Sequence, residues 1–111
     1  MADTNWTRVG SAGDANDNAN WSANAPDAAN RPVFNATYSN QDCNWNISTA
    51  VDGINIDDTY AGTISLSTAM IIDSSVAPQF GGVSGTITTN DNDVTIDANA
   101  PTYIYMGGII N

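Results

Sequence analysis

The sequence has no histidine, no lysine and no glutamate, and it has a single cysteine, Cys43. Catalysis by acid, base or nucleophile needs groups that titrate or attack near neutral pH, and here only aspartates remain. Asp57 and Asp58 are adjacent, but neighbouring strand residues point to opposite faces, so we expect a strand-to-turn corner rather than a catalytic pair. We therefore predict no catalytic residue and no enzymatic activity. One cysteine without histidine also excludes an internal disulfide and a zinc site.

Charge is scarce and almost all of one sign. Charged residues make up 13% of the chain, and twelve aspartates face two arginines, Arg8 and Arg31, for a formal charge of −10. Such a surface repels phosphate backbones and anionic lipids, so we predict no nucleic-acid partner and no membrane partner. It would suit divalent cations or a basic protein.

A secretion signal and a membrane-spanning run are also missing from the sequence. Met1 leads directly into polar residues, without a basic segment followed by an apolar one. A starting methionine favours a protein that is made and used inside a cell. The length of 111 residues predicts one domain.

The aliphatic residues indicate strands. Seventeen isoleucines and valines stand against one leucine, Leu66, and β-branched side chains suit a pleated sheet better than a helix. Apolar and polar residues alternate in short runs, separated by breaks about every eight to twelve residues, as in sandwiches, barrels and solenoids. The corners are wider than two-residue hairpins and the inward positions are uniform. We therefore predict an all-β fold of short strands in a solenoid-like stack, with a sandwich-like stack as the alternative.

The first 32 residues differ from the rest. They are rich in asparagine, aspartate, alanine and serine, and Trp6 and Trp21 are their isolated anchors. We predict an extended, tryptophan-anchored segment over residues 1–32 and a β-strand body over residues 33–111, in a single β domain.

Two acidic stretches resemble ion-binding loops. Asp14, Asn16 and Asn18 match the first three ligand positions of a calcium loop, but Ala19 replaces its turn glycine and the bidentate glutamate is missing. Asp91–Asp93 is another acidic corner. We predict no cofactor and no metal site, with weak Ca²⁺ binding as the most that these stretches would support.

Each tryptophan follows an asparagine, in Asn5-Trp6, Asn20-Trp21 and Asn44-Trp45. One interpretation is a carbohydrate-binding face on which the rings stack. The other, which we favour, is that the three rings belong to the core because the chain has little other aromatic mass.

Several motifs together resemble a known group of β-helical proteins. They are Asn20-Trp21-Ser22 before Pro26, then Val51-Asp52-Gly53-Ile54-Asn55-Ile56, and finally Tyr60-Ala61-Gly62-Thr63-Ile64-Ser65-Leu66. The series is similar to repetitive β-helix modules of bacterial surface proteins and to short virion proteins of tailed phages, and it covers about Trp6 to Ile96. The resemblance implies that Tyr60 and Gly62 form a corner. Together with the composition, it predicts a core of Trp6, Trp21, Trp45, Ile54, Ile56, Tyr60, Ile64 and Leu66.

The short chain without an export signal is more similar to the phage branch of this group. The resemblance therefore implies a capsid decoration or cement protein, located in the virion after assembly in the host cytoplasm. Its expected partners are a major capsid protein and further copies of itself, with a trimer implied by capsid three-fold positions. The alternative is a carbohydrate-binding or adhesive module of a bacterial surface protein.

The C-terminal residues are the most apolar stretch of the chain. We predict that they either dock on the chain's own core or bind a partner subunit or capsid protein. The candidate partner-binding residues are Tyr103, Tyr105, Met106, Ile109 and Ile110.

Overall fold

The computed structural model describes residues 2–73, 79–81, 85–97, 105–106 and 109–111. Its strands are β1 (Ala2–Asn5), β2 (Gly13–Asp14), β3 (Asn30–Phe34), β4 (Cys43–Trp45), β5 (Asn55–Ile56), β6 (Thr63–Leu66), β7 (Met70–Asp73), β8 (Gln79–Phe80), β9 (Thr86–Thr88), β10 (Val94–Asp97), β11 (Tyr105–Met106) and β12 (Ile109–Ile110). Within these ranges the only helical element is a 3₁₀ turn at Asn18–Asn20. No helix in the described part is long and apolar enough to span a membrane.

The strands stack as a β-solenoid of about 4 turns. The first sheet has the order β1-β3-β5-β8-β11, and the second has the order β2-β4-β6-β9-β12. The third contains β7 and β10, and a parallel bridge from Val51 to Ile72 extends it by one coil. Every strand pair is parallel, so each strand lies beside the equivalent strand of the next coil. The prediction of an all-β, solenoid-like fold is confirmed.

One coil takes 21 to 26 residues beyond the first. Cys43 pairs with Ile64, and Ile64 pairs with Ile87, so one inward column of side chains runs through three coils. All three are buried. Alternation along each strand places small polar residues on the outside. This explains why apolar and polar residues alternate with a period of two in the sequence.

The first coil is longer because its extra residues cover the end of the stack. The bridge between Trp6 and Trp21 is antiparallel, and it brings the chain back along β1. Thr7 N donates to Asn20 O and Ser22 N donates to Asn5 O, both at 2.9 Å. Trp6 N donates to Val33 O of β3, on the other side of β1. The residues around Trp21 therefore pair with the outer edge at the end of β1, where an uncovered edge would invite association.

Residues 1–32 were predicted to be an extended segment distinct from the strand body. The described part, from Ala2 onward, instead supplies β1, β2 and the first residues of β3, and β1 and β2 pair with β3 and β4 in the same two sheets as the body. Residues 2–29 are the first coil of the solenoid, and Trp6 and Trp21 anchor it to the second coil through Phe34.

The corners explain the abundance of asparagine and aspartate. At four of the described corners the side-chain oxygen of an asparagine or aspartate accepts a hydrogen bond from the backbone N–H two residues later, which holds the turn without help from a sheet. The residues that accept in this way are Asp17, Asp27, Asn35 and Asp57.

Candidate functional site

The eight residues predicted to form the core all lie in one buried cluster. Their exposed fractions range from 0% to 5%. They are Trp6, Trp21, Trp45, Ile54, Ile56, Tyr60, Ile64 and Leu66.

The tryptophans are therefore unavailable to an external ligand. Trp6 and Trp21 pack edge to face with ring centroids 5.1 Å apart, and Phe34 lies 6.0 and 5.6 Å from them. Trp45 is also 0% exposed. The interpretation of the three Asn-Trp pairs as a sugar-stacking face is wrong, because the rings are used to fill the narrow interior of the first coils.

One backbone carbonyl ties the aromatic cluster to a corner. Gln41 O accepts hydrogen bonds from Trp6 Nε1 at 2.9 Å and from Tyr60 Oη at 2.8 Å. Burial, followed by the negative charge of nearby groups, raises the pKa of Tyr60 far above its ordinary value. The phenol therefore stays protonated and acts as a structural donor.

Cys43 is buried in the second sheet and is not a reactive thiol. Burial raises its pKa well above the ordinary value, and Asp14 and Asp42 raise it further. A nucleophilic cysteine needs the opposite shift, from a neighbouring cation or a helix N-terminus. The residue serves as a small apolar side chain that pairs with Ile64.

Asp57 and Asp58 lie at a corner just after β5, as predicted. Thr59 donates to Asp57 from its hydroxyl at 2.7 Å and from its backbone N–H at 3.1 Å, and these bonds lower the pKa of Asp57. Both aspartates border a polar surface hollow of about 240 Å³, together with Asn55, Gln79 and Gly81. The hydrogen bonds to Asp57 hold the turn.

The calcium-like stretch uses its polar groups for hydrogen bonds within the first coil and to the second coil. Asp14 Oδ1 accepts from Asn44 Nδ2 at 2.9 Å, and Asn18 Oδ1 accepts from Ala25 N at 2.9 Å. Asn16 contributes a backbone N–H, which donates to Asn46. Within the described residues, no group of three or more histidine, cysteine, aspartate or glutamate side chains could hold a metal ion.

The acidic corner at Asp91–Asp93 is a tight turn. Asn90 and Asp91 have φ angles of 51° and 64°, and Asn92 N donates to Thr89 O. Two successive left-handed residues favour asparagine and aspartate. Asn92 Nδ2 also donates to Leu66 O in the previous coil. Local backbone geometry thus accounts for this corner.

The C-terminal residues extend the chain's own sheets. β11 pairs with β8 and β12 pairs with β9. Ile110 is 37% exposed and borders a small apolar cavity of about 10 Å³. Of the five predicted partner-binding residues, Tyr103 lies outside the described residues, as do the side chains of Tyr105, Met106 and Ile109.

Two exposed apolar residues were not predicted. Val9 is 81% exposed and Tyr38 is 52% exposed, on loops that join the first sheet to the second. The available signal was that each interrupts a polar stretch without belonging to an alternating run. The sequence alone could not show that these two loops lie on adjacent coils.

Comparison with protein-family models, with curated proteins and with solved structures gave no match.

Proposed function

We propose that this chain is a non-enzymatic structural protein that decorates the head of a tailed phage. It would stabilise the particle through contacts with a major capsid protein and with copies of itself, and it would be located in the virion. The proposal combines the resemblance of its motifs with the way in which the described side chains are used.

The observation that carries the proposal is that the cysteine, Tyr60 and the tryptophans serve the fold. The Cys43 thiol, the Tyr60 phenol and all three tryptophan rings lie in the solenoid interior. The outside of the described part carries mostly small polar and acidic side chains, and its exposed large apolar side chains are Val9, Tyr38 and Ile110. A solenoid with its thiol, the Tyr60 phenol and its indole groups inside is better suited to binding and packing than to catalysis. Burial of the tryptophans also leaves the carbohydrate-binding alternative without a tryptophan face on which a sugar could stack.

Self-association through the C-terminal strand is the second part of the proposal. The outer edge of β1 is partly covered by the residues around Trp21, whereas the apolar Ile110 on β12 is 37% exposed. Two chains with ten net negative charges each repel one another, so their contact would have to be apolar or through strand pairing. The trimer is what the resemblance to decoration proteins implies.

The first experiment is size exclusion with light scattering, followed by co-sedimentation with phage heads that lack this chain. We expect an oligomer that binds the heads. Ile110→Asp should weaken both, whereas Thr95→Asp, which adds the same charge to an exposed position of β10, should affect neither. Deleting residues 107–111 should weaken oligomer formation and head binding in the same way as Ile110→Asp.

A folded monomer without affinity for heads would contradict the proposal. A gene far from any capsid gene would count against it as well.

A further inference from the structure

Two of the exposed large apolar side chains in the described residues lie at the same corner of the solenoid. Val9 and Tyr38 occupy adjacent coils, and the Ser39 hydroxyl donates to the backbone oxygen of Arg8 at 2.5 Å. This bond joins the residues next to Val9 and Tyr38. We name the surface formed by residues 8–10, 37–39 and 57–59 the Val9–Tyr38 corner.

The loop that carries Val9 is held by the side chain of Arg8. Arg8 Nε donates to Ser11 O and its Nη1 donates to Asn20 Oδ1, each at 3.2 Å. Gly10 has a φ of 86°, a conformation that suits glycine, and it lets the chain turn back immediately after Val9. The fold thus fixes the backbone on either side of a side chain that contacts little of the protein.

The turn that carries Tyr38 is held equally firmly. Thr37 N donates to Asn35 Oδ1 at 2.9 Å, and Tyr38 N donates to Asn35 O at 3.0 Å. A partner that bound these two side chains would meet loops that are already ordered, which reduces the entropy lost on binding. Tyrosine is also among the residues enriched at the centres of protein interfaces.

The next coil adds negative charge to this corner. Ala36 N donates to Thr59 Oγ1 at 3.2 Å, which places Thr59 directly beside the Tyr38 turn. Thr59 in turn holds the Asp57 carboxylate, and the exposed Asp58 lies between them in the chain. Of the two arginines, Arg8 belongs to this corner, where its guanidinium donates to Ser11 and Asn20, and Arg31 is paired with Asp3 at 2.9 Å on the first sheet. The carboxylates of Asp57 and Asp58 therefore outnumber the one cation of the corner.

We propose that the Val9–Tyr38 corner binds a basic protein surface. That surface would have an apolar pocket bordered by lysine or arginine. Val9 and Tyr38 would enter the pocket, and Asp57 and Asp58 would face the cations. A second copy of the chain is the poorer occupant, because it would bring the same carboxylates and ten negative charges to the contact. The inference rests on the proposed function, since it identifies the surface that would contact the other protein.

The test uses the ¹⁵N-labelled protein and a short lysine-rich peptide with a central Leu-Phe pair. One control peptide has serine in place of Leu-Phe, and another has glutamate in place of lysine. We expect amide shifts confined to the Val9–Tyr38 corner, and no saturable binding of either control peptide. The double variant Val9→Ser/Tyr38→Ser should bind the first peptide at least about tenfold more weakly. Thr95→Ser, a change at an exposed position of β10 outside the corner, should leave the affinity unchanged.

Shifts spread over the acidic surface, or equal affinity for the serine peptide, would overturn the inference. Dissociation of an oligomer by the double variant would also overturn it, because the occupant would then be a second copy.

Head binding by the same variants separates this inference from the proposed function. If the double variant binds heads as tightly as the wild type, the decoration role stands and the inference about the corner is refuted. If the protein binds the peptide at the corner but has no affinity for heads, the inference stands and the decoration role is refuted.

Discussion

Trp6 and Trp45 form a matched pair for measuring the contribution of one buried hydrogen bond. Both side chains are 0% exposed. Trp6 Nε1 donates to Gln41 O at 2.9 Å, whereas Trp45 Nε1 is buried without an acceptor in the part of the chain that the structure describes. Replacing each by phenylalanine removes the same atoms but changes the hydrogen bonding in opposite directions.

The expected difference follows from typical magnitudes. Trp6→Phe loses a hydrogen bond with a net contribution of about 0.5–1.5 kcal/mol, and Gln41 O keeps its bond from Tyr60. Trp45→Phe removes an unsatisfied donor, which relieves a penalty of about 1–3 kcal/mol. The loss of volume is common to both variants and largely cancels. Trp6→Phe should therefore be more destabilising than Trp45→Phe by roughly 1.5–4.5 kcal/mol.

Urea unfolding measures this difference. It is followed by far-UV circular dichroism rather than by tryptophan fluorescence, because the two variants lose different fluorophores. Equal m-values are the control that both variants unfold from comparable native states. If Trp45→Phe were as destabilising as Trp6→Phe, or more so, the assignment of these two indole groups would be wrong.

Three further predictions concern a corner, pH and ions. Gly62→Ala should destabilise by about 1–3 kcal/mol in urea unfolding, because its Cβ would lie 2.6 Å from Tyr60 Cζ and 2.7 Å from Asn40 O; a change within experimental error would show that the corner relaxes. Because the pKa values of Cys43 and Tyr60 are raised in the folded state, their contribution to stability is present below about pH 9 and falls as the pH rises through 10. Thermal melts from pH 7 to 11 measure this loss, and Tyr60→Phe should make it shallower; an identical profile would contradict the shift. A chelator should leave the circular dichroism spectrum and the melt unchanged, because Asp14 accepts a hydrogen bond from the next coil; unfolding on chelation would reveal a structural ion.

The sequence was sufficient for the fold class because solenoid coils repeat one simple requirement. Inward positions such as Ile64 and Ile87 need β-branched side chains, and their outward neighbours need small polar ones, so the period of two is visible without any structure. The long-range register was not visible. It depends on how many residues each corner takes, and these corners are held by side-chain bonds such as that of Asn35 rather than by standard hairpins.

The candidate surface was harder to predict than the core for a related reason. Burial follows from composition and alternation, and Trp45 could be assigned to the core on those grounds. The proximity of Val9 and Tyr38 follows only from the stacking of two loops of unequal length. Nor did the alternation show that residues 2–29 form a coil of their own, because that coil includes the polar insertion around Asn18–Asn20, which turns back to bring Trp21 onto Trp6.

The parallel register between successive coils underlies the fold, the corner and both proposals, and NMR tests it most directly. We expect a through-hydrogen-bond coupling between Thr86 N and the carbonyl carbon of Gly62, whose oxygen lies 3.2 Å from that nitrogen, and another between Ser67 N and the carbonyl of Trp45. A sandwich built from hairpins would instead bring the α-protons of β6 and β7 together in an antiparallel pattern. Strong α-proton contacts between those neighbouring strands, without the two couplings, would contradict the solenoid and everything inferred from it.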